Sequence, residues 1–179
     1  MNRQELRLTT YQMAAKYGAY MGLFLVIRFA MGTLFATYVP MTVLYIGLTL
    51  AIPYVGYKLA VQYKKNMQDE TLLFGDYYTF TFFLFFFSSI ILTFVEFIYY
   101  RYISPDYISN TYHMLLSNID VLVAQQPELS YLSTYKTQLM ETPLPTAFEM
   151  AAPTIWMYSF WGIVLGLVTA LLLNKQKNQ

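Results

Sequence analysis

Cysteine is absent from the 179 residues, so neither a disulfide framework nor a thiolate metal site is available. Histidine occurs once, at His113, without a second histidine at the HExxH spacing of a zinc protease. No glycine-serine-glycine nucleophile elbow and no phosphate-cradling glycine loop can be found. Charged residues make up only 12% of the chain and 57% is hydrophobic, too apolar for a soluble globule of this length. The formal net charge of +1 lacks the clustered basic face of a nucleic-acid binder. These shortages leave no catalytic set, no cofactor and no metal to expect, and no nucleic-acid partner.

What is abundant is long apolar runs. Four of them, about 14–38, 41–61, 77–102 and 147–173, are each long enough for a hydrocarbon core of about 30 Å, which takes about 20 helical residues. Backbone groups in lipid must be satisfied within the segment, so the runs are expected to be helices. With the N-terminus cytoplasmic, Arg3, Arg7, Lys16, Lys58, Lys64, Lys65, Lys175 and Lys177 all fall on the cytoplasmic side, and only Arg101 and Lys136 fall outside. This bias orients the spans and puts both termini inside. The first run is longer than the core of about 7 to 15 residues in a secretory signal, so it reads as an uncleaved first helix despite small residues near Ala36.

Met1 to Tyr17 reads as a short polar lead-in, and Val39 and Pro40 as a tight outer hairpin beside Tyr38. Pro53 is expected to kink the second span. The connection from Gln62 to Asp76 is the most polar stretch between spans, with Lys64, Lys65, Asp69 and Glu70, and Gly75 and Asp76 read as a break and a helix N-cap. The third span holds Phe80, Phe82, Phe83, Phe85, Phe86 and Phe87, a run that surrounds the helix and reads as lipid contact and packing.

The segment 104–145 is the one sizeable extramembrane piece. Ser104 and Pro105 suit an N-cap and first helical residue, after which Ile108, Tyr112, Leu115, Leu116, Ile119, Leu122 and Val123 recur at helical spacing. Pro127 ends that helix, and Leu129, Leu132, Leu139 and Met140 suggest a second before Pro143 and Pro145. The expected architecture is all-α: an integral membrane four-helix bundle, one domain over 1–179, with an extracytoplasmic amphipathic helical hairpin between spans three and four.

Arg28 lies within the first span, where insertion scales charge about 2.5 to 3.5 kcal/mol for it. Its obvious partner is Glu96 in the third span, whose backbone differs in depth by roughly 6 Å at about 1.5 Å per residue. Ser89, Thr93, Glu96 and Tyr100, spaced by four, three and four, share one helix face. Two readings stand: a buried pair fixing helix register with hydroxyls as interhelical glue, or a solvated ion path. The first is preferred, because four helices leave little room for a gated path. Gly18 with Gly22, and Gly162 with Gly166, have the spacing that admits close helix approach. Packing of span one on span four is preferred to a homodimer. Thr146 and Glu149 match a capping box, Arg101 and Asp106 are placed to pair across Pro105, and His113, Asp120 and Glu128 read as surface groups.

The pair Phe74 Gly75, the run Tyr102 Ile103 Ser104 Pro105 Asp106 and the run Gly162 Ile163 Val164 Leu165 Gly166 Leu167 Val168 ending at Asn174 Lys175 resemble, in order and spacing, a bacterial membrane family known as domain of unknown function 4199. The resemblance covers roughly Lys64 to Lys175 and implies four spans, an outer helical segment and no assigned activity. The expected function is therefore that of a non-enzymatic structural or partner-binding protein of the bacterial inner membrane, its partners being the lipid bilayer and an envelope protein or a second copy. The alternative is a small oligomeric transporter or channel subunit with a polar path near Arg28 and Glu96.

Overall fold

The computed structural model describes residues 2–34, 39–67 and 72–175. Tyr38, Asp69, Glu70 and Lys177 lie outside the described residues. The elements in order are α1 (Arg3–Leu34), α2 (Val39–Asn66), α3 (Phe74–Ile98), a π-helical turn (Tyr99–Ile103), α4 (Tyr107–Gln125), a 3-10 turn (Pro127–Leu129), α5 (Tyr131–Glu141), α6 (Ala147–Ala151) and α7 (Pro153–Lys175). No strand occurs among the described residues. The chain divides into two compact units, one holding α1, α2, α3 as far as Val95 and α7, the other running from Glu96 to Ala152.

In the first unit each helix buries one stripe. On α1 it is Leu6, Thr10, Ala14, Tyr17, Met21 and Leu25, spaced by four, four, three, four and four. That stripe crosses the boundary expected near Tyr17: the polar lead-in is the first half of the same helix, because Leu6, Thr10 and Ala14 pack on the face that Met21 and Leu25 continue. On α2 the stripe is Gly56, Ala60 and Tyr63, continued by Met67 just past its end. On α7 it is Thr154, Tyr158, Gly162, Gly166, Thr169, Ala170 and Leu173.

Helix α3 is the axis of this unit. Its buried positions pair up every turn, as Phe80 with Thr81, Leu84 with Phe85, Ser88 with Ser89, and Leu92 with Thr93. Phe82, Phe83, Phe86 and Phe87 fall between the pairs and are only half-buried. The packed face thus carries hydroxyls beside Phe80, Leu84, Phe85 and Leu92, while most of the phenylalanine run lies on the flanks. The buried hydroxyls of Thr81, Ser88 and Ser89 are satisfied by their own helix, donating to the carbonyls of Tyr77, Phe85 and Phe86 at 2.9, 2.9 and 2.7 Å.

An aromatic layer ties α1, α2 and α3 together. The Tyr63 ring stacks on Phe80 with centroids 4.2 Å apart, and Tyr17 meets Phe80 edge-on at 5.9 Å. The Thr10 hydroxyl donates to the Leu6 carbonyl, so the Tyr63 hydroxyl, 2.9 Å away, is the donor in their bond. Asn66 Nδ2 donates to the Tyr17 hydroxyl at 2.7 Å, and Lys64 Nζ to the Leu173 carbonyl at 3.3 Å, a cation on the last turn of α7.

Outside these stripes the unit is covered by apolar side chains, including Leu23, Val43, Leu50, Phe94, Trp156 and Leu171. That surface suits a solvent that is itself apolar. Among the described residues, three helical stretches are long and apolar enough to cross a membrane: Thr42–Asn66, Phe74–Ile103 and Ala147–Lys175. The protein is an all-α membrane protein. Helix α1, with 32 residues, has the length but is not among the three; Arg3, Glu5, Arg7, Lys16 and Arg28 lie along it.

Several local expectations shift. Val39 and Pro40 are the first residues of α2 rather than a hairpin turn, a place where proline costs no helical hydrogen bond. Pro53 sits inside α2, which continues past it to Asn66. Asp76 is not an N-cap: it lies in the first turn of α3, and its Oδ2 accepts from the Leu73 backbone N–H at 2.7 Å and from Arg3 at 3.0 Å, the reaching-back half of a capping box. The last apolar run is two helices, because Pro153 lacks the N–H that would bond the Glu149 carbonyl and starts α7 instead.

In the second unit Ser104 closes the π-turn, donating its N–H to the Tyr99 carbonyl at 2.8 Å, so α4 begins three residues later with Asp106 as its cap. Helix α4 ends before Pro127, as its sequence predicts, and α5 returns beside it. Tyr112 donates its hydroxyl to the Leu139 carbonyl, and Lys136 bridges to both oxygens of Asp120 at 2.6 and 2.7 Å. The Thr146–Glu149 capping box is formed in both directions at the head of α6.

Candidate functional site

Arg28 is the centre of the most developed polar constellation in the first unit. It stands one turn beyond the buried stripe of α1, and α2 presents Tyr45, Thr49 and Pro53 at successive turns of one face. Helix α7 contributes Tyr158 from its buried stripe. Arg28 Nε donates to the Thr49 hydroxyl at 2.8 Å, Nη2 to the Tyr45 hydroxyl at 2.7 Å and Nη1 to the Tyr158 hydroxyl at 3.3 Å. The guanidinium carbon also lies 4.5 Å from the centre of the Tyr45 ring, a cation–π contact. Thr49 in turn donates to the Tyr45 carbonyl at 2.7 Å.

Gly32, one turn after Arg28, makes this possible. A side chain there would come within 2.8 Å of the Tyr45 ring, so the glycine is what lets the ring lie against α1. Within this unit, neutral hydroxyls on two other helices solvate the cation; Glu96, the expected carboxylate partner, belongs to the other unit. Hydrogen bonds to a charged group contribute about 1.5 to 3 kcal/mol each, so three of them are of the order needed to offset the cost of a charge in a span. The positive charge itself is left unneutralised within this unit.

Beside the guanidinium lies a cavity of about 410 Å³ lined by Arg28, Thr49, Pro53, Tyr158, Trp161 and Leu165 among others. Its volume is that of a small-molecule site, and apart from the Arg28 cluster its wall is apolar. Pro53 also withholds the helical N–H that the Thr49 carbonyl would otherwise accept.

The other expected site residues fall as follows. Ser89 and Thr93 lie on the packed face of α3 in the first unit; the Thr93 hydroxyl is buried without a hydrogen-bond partner. Glu96, buried, and Tyr100, in the π-turn, belong to the second unit. Tyr100 stacks on Tyr107 with centroids 5.4 Å apart. The two glycine pairs do not face each other. A Cβ on Gly18 would lie 2.8 Å from Phe87 Cβ, and one on Gly22 3.0 Å from Ile91, while Gly162 and Gly166 approach Phe85 and Tyr78 at 3.0 and 3.1 Å. Both pairs pack on α3, from two sides. Arg101 and Asp106 form no ion pair among the described residues. His113 is exposed on α4 and Glu128 is exposed beyond it, while Asp120 serves the Lys136 bridge. No group of histidine, aspartate or glutamate suited to a metal occurs among the described residues.

Tyr45, Thr49 and Tyr158 were not singled out in the sequence, where 18 tyrosines hide any one of them. The available signal was the spacing of Tyr45, Thr49 and Pro53 by four, in the helix that follows an intramembrane arginine.

Among known proteins, the model of one family, described as protein of unknown function (DUF4199), matches residues 16–175. No curated protein and no solved structure matches the chain.

Proposed function

Because the chain belongs to the DUF4199 family, whose description assigns no activity, the functional reading must come from its own surfaces, and we propose that it is a non-enzymatic protein that binds an envelope partner through α4 and α5. In this reading it sits in the bacterial inner membrane with four spans, α1 being the fourth, both termini cytoplasmic and the α4–α5 hairpin outside. Supporting α1 as a span are its length, its shared packing on α3 and the solvation of Arg28 by hydroxyls; the lysine and arginine bias supports the orientation.

The observation that carries the proposal is the apolar face left open on the hairpin. On α4, Ile108, Tyr112, Leu116, Ile119 and Val123 are at least half-buried, yet Leu115 with Leu122 and Met114 with Val121, each pair two turns apart, are exposed. Tyr131, Tyr135 and Met140 are exposed on α5. Exposed apolar side chains on both helices of a hairpin read as lying outside the bilayer support an interaction site there. Photo-crosslinking residues placed at Leu115 and Leu122, compared with His113 and Ser117 on the opposite face, test this in cells. The proposal expects one discrete protein adduct from the apolar positions alone. Adducts to lipid only would refute it, and adducts to a second copy would make the partner the protein itself.

A second reading, a small transporter or channel subunit, is favoured by one observation, the unpartnered buried hydroxyl of Thr93 beside Ser89 on α3. Flux through reconstituted protein that is unchanged by Arg28→Ala and by Glu96→Gln would remove those residues from such a path.

A further inference from the structure

We propose that the cavity beside Arg28 is a binding site for a single-chain anionic amphiphile, a long-chain carboxylate whose head rests on the guanidinium and whose tail lies along α2 and α7. The argument starts from donors. A guanidinium has five N–H groups, and the hydroxyls of Thr49, Tyr45 and Tyr158 take one from Nε, one from Nη2 and one from Nη1. One N–H on each terminal nitrogen is left for another acceptor.

All three partners are neutral, so the site keeps a full positive charge in surroundings where opposite charge is strongly favoured. A carboxylate supplies both things the site lacks: two acceptor oxygens matched to the planar fork, and the counter-charge. The arginine is held from α1, α2 and α7 at once, so the head would meet a preorganised group rather than a mobile side chain.

The remainder of the wall fits a tail. Ile52, Pro53, Met157 and Leu165 are apolar, and Trp161 adds a broad ring whose one polar group is its indole N–H. Leu50, Met157 and Trp161 on its rim are 73%, 49% and 47% exposed, so the cavity opens on the apolar outside of the bundle. A ligand reaching it from there travels through lipid, which selects an amphiphile over a water-soluble anion. At about 410 Å³ the space suits one acyl chain rather than two.

The test uses the whole protein in detergent micelles with Trp156→Phe, leaving Trp161 at the cavity as the one tryptophan. Its fluorescence is titrated with doxyl-labelled stearic acid as quencher, with the methyl ester of the same probe as the uncharged control. Saturable quenching that palmitate reverses is expected, with the ester and the Arg28→Gln protein each weaker by about tenfold or more. The acid-to-ester comparison needs no variant at the site, so the outcome does not hinge on how Arg28→Gln folds. Equal quenching by acid and ester, or quenching that rises linearly with partitioned probe, overturns the proposal. Reversal by a single-chain phosphate lipid but not by palmitate overturns the carboxylate head and assigns a phosphate instead.

Discussion

Replacing Gly18 by alanine should destabilise the protein, whereas the same change at Gly47 should stabilise it. Both glycines lie in helix interiors, where alanine is favoured over glycine by about 0.5 to 1 kcal/mol. At Gly47 nothing lies within 4 Å of the added methyl, so that gain is kept. At Gly18 the methyl would sit 2.8 Å from Phe87 Cβ and 3.2 Å from the Leu84 carbonyl oxygen, both fixed to the backbone of α3. Neither neighbour can rotate away, so α1 must move off α3, and overpacking of this kind costs about 1 to 3 kcal/mol. The net expectation is a loss of about 1 to 2 kcal/mol for Gly18→Ala and a gain of up to about 1 kcal/mol for Gly47→Ala. Thermal melting of the two purified variants in one detergent, followed by circular dichroism and by aggregation, would show opposite shifts. Shifts of the same sign would refute the close approach of α1 to α3.

Gly32→Ala should disturb the Arg28 cluster by pushing on the Tyr45 ring, seen as increased hydrogen exchange at the C-terminal end of α1 with little change in the aromatic layer around Tyr63. Tyr63→Phe should cost about 0.5 to 1.5 kcal/mol in melting experiments, because Thr10 keeps its bond to the Leu6 carbonyl and is not orphaned. Thr146→Ala should free the first turn of α6, costing about 1 kcal/mol locally, read as faster amide exchange at Glu149. Lys136→Ala, breaking a bridge to an exposed Asp120, should change the melting temperature very little, at under about 1 kcal/mol.

How much of this was legible beforehand follows from what each feature depends on. Helix type and rough extent depend on apolar length and on prolines, so the four runs, the stop before Pro127 and the Thr146 cap could be read directly. Where the ends fall depends on pairings that sequence does not contain. Asp76 looked like a cap, but it lies within the first turn of α3 and reaches back to Leu73 and across to Arg3. The first half of α1 looked like a solvated lead-in, because its stripe of Leu6, Thr10 and Ala14 is sparse until a neighbour is known to cover it.

The same limit governed the site. Arg28 announced itself by the cost of its charge, but its partners were chosen by geometry among many hydroxyls, and three neutral ones on α2 and α7 provided the solvation. The glycine pairs announced close approach without saying to what. Both met α3, Gly18 and Gly22 against Phe87 and Ile91, and Gly162 and Gly166 against Phe85 and Tyr78.

The proposed topology puts the α4–α5 hairpin and the end of α2 on opposite sides of one membrane. Because the protein has no cysteine, Ser117→Cys and Lys65→Cys give single reporters at exposed positions. A membrane-impermeant maleimide applied to intact cells with a permeabilised outer envelope should label position 117 at once and position 65 only after the inner membrane is disrupted. Labelling of 65 but not 117 in the intact state, or of both alike, would contradict the account.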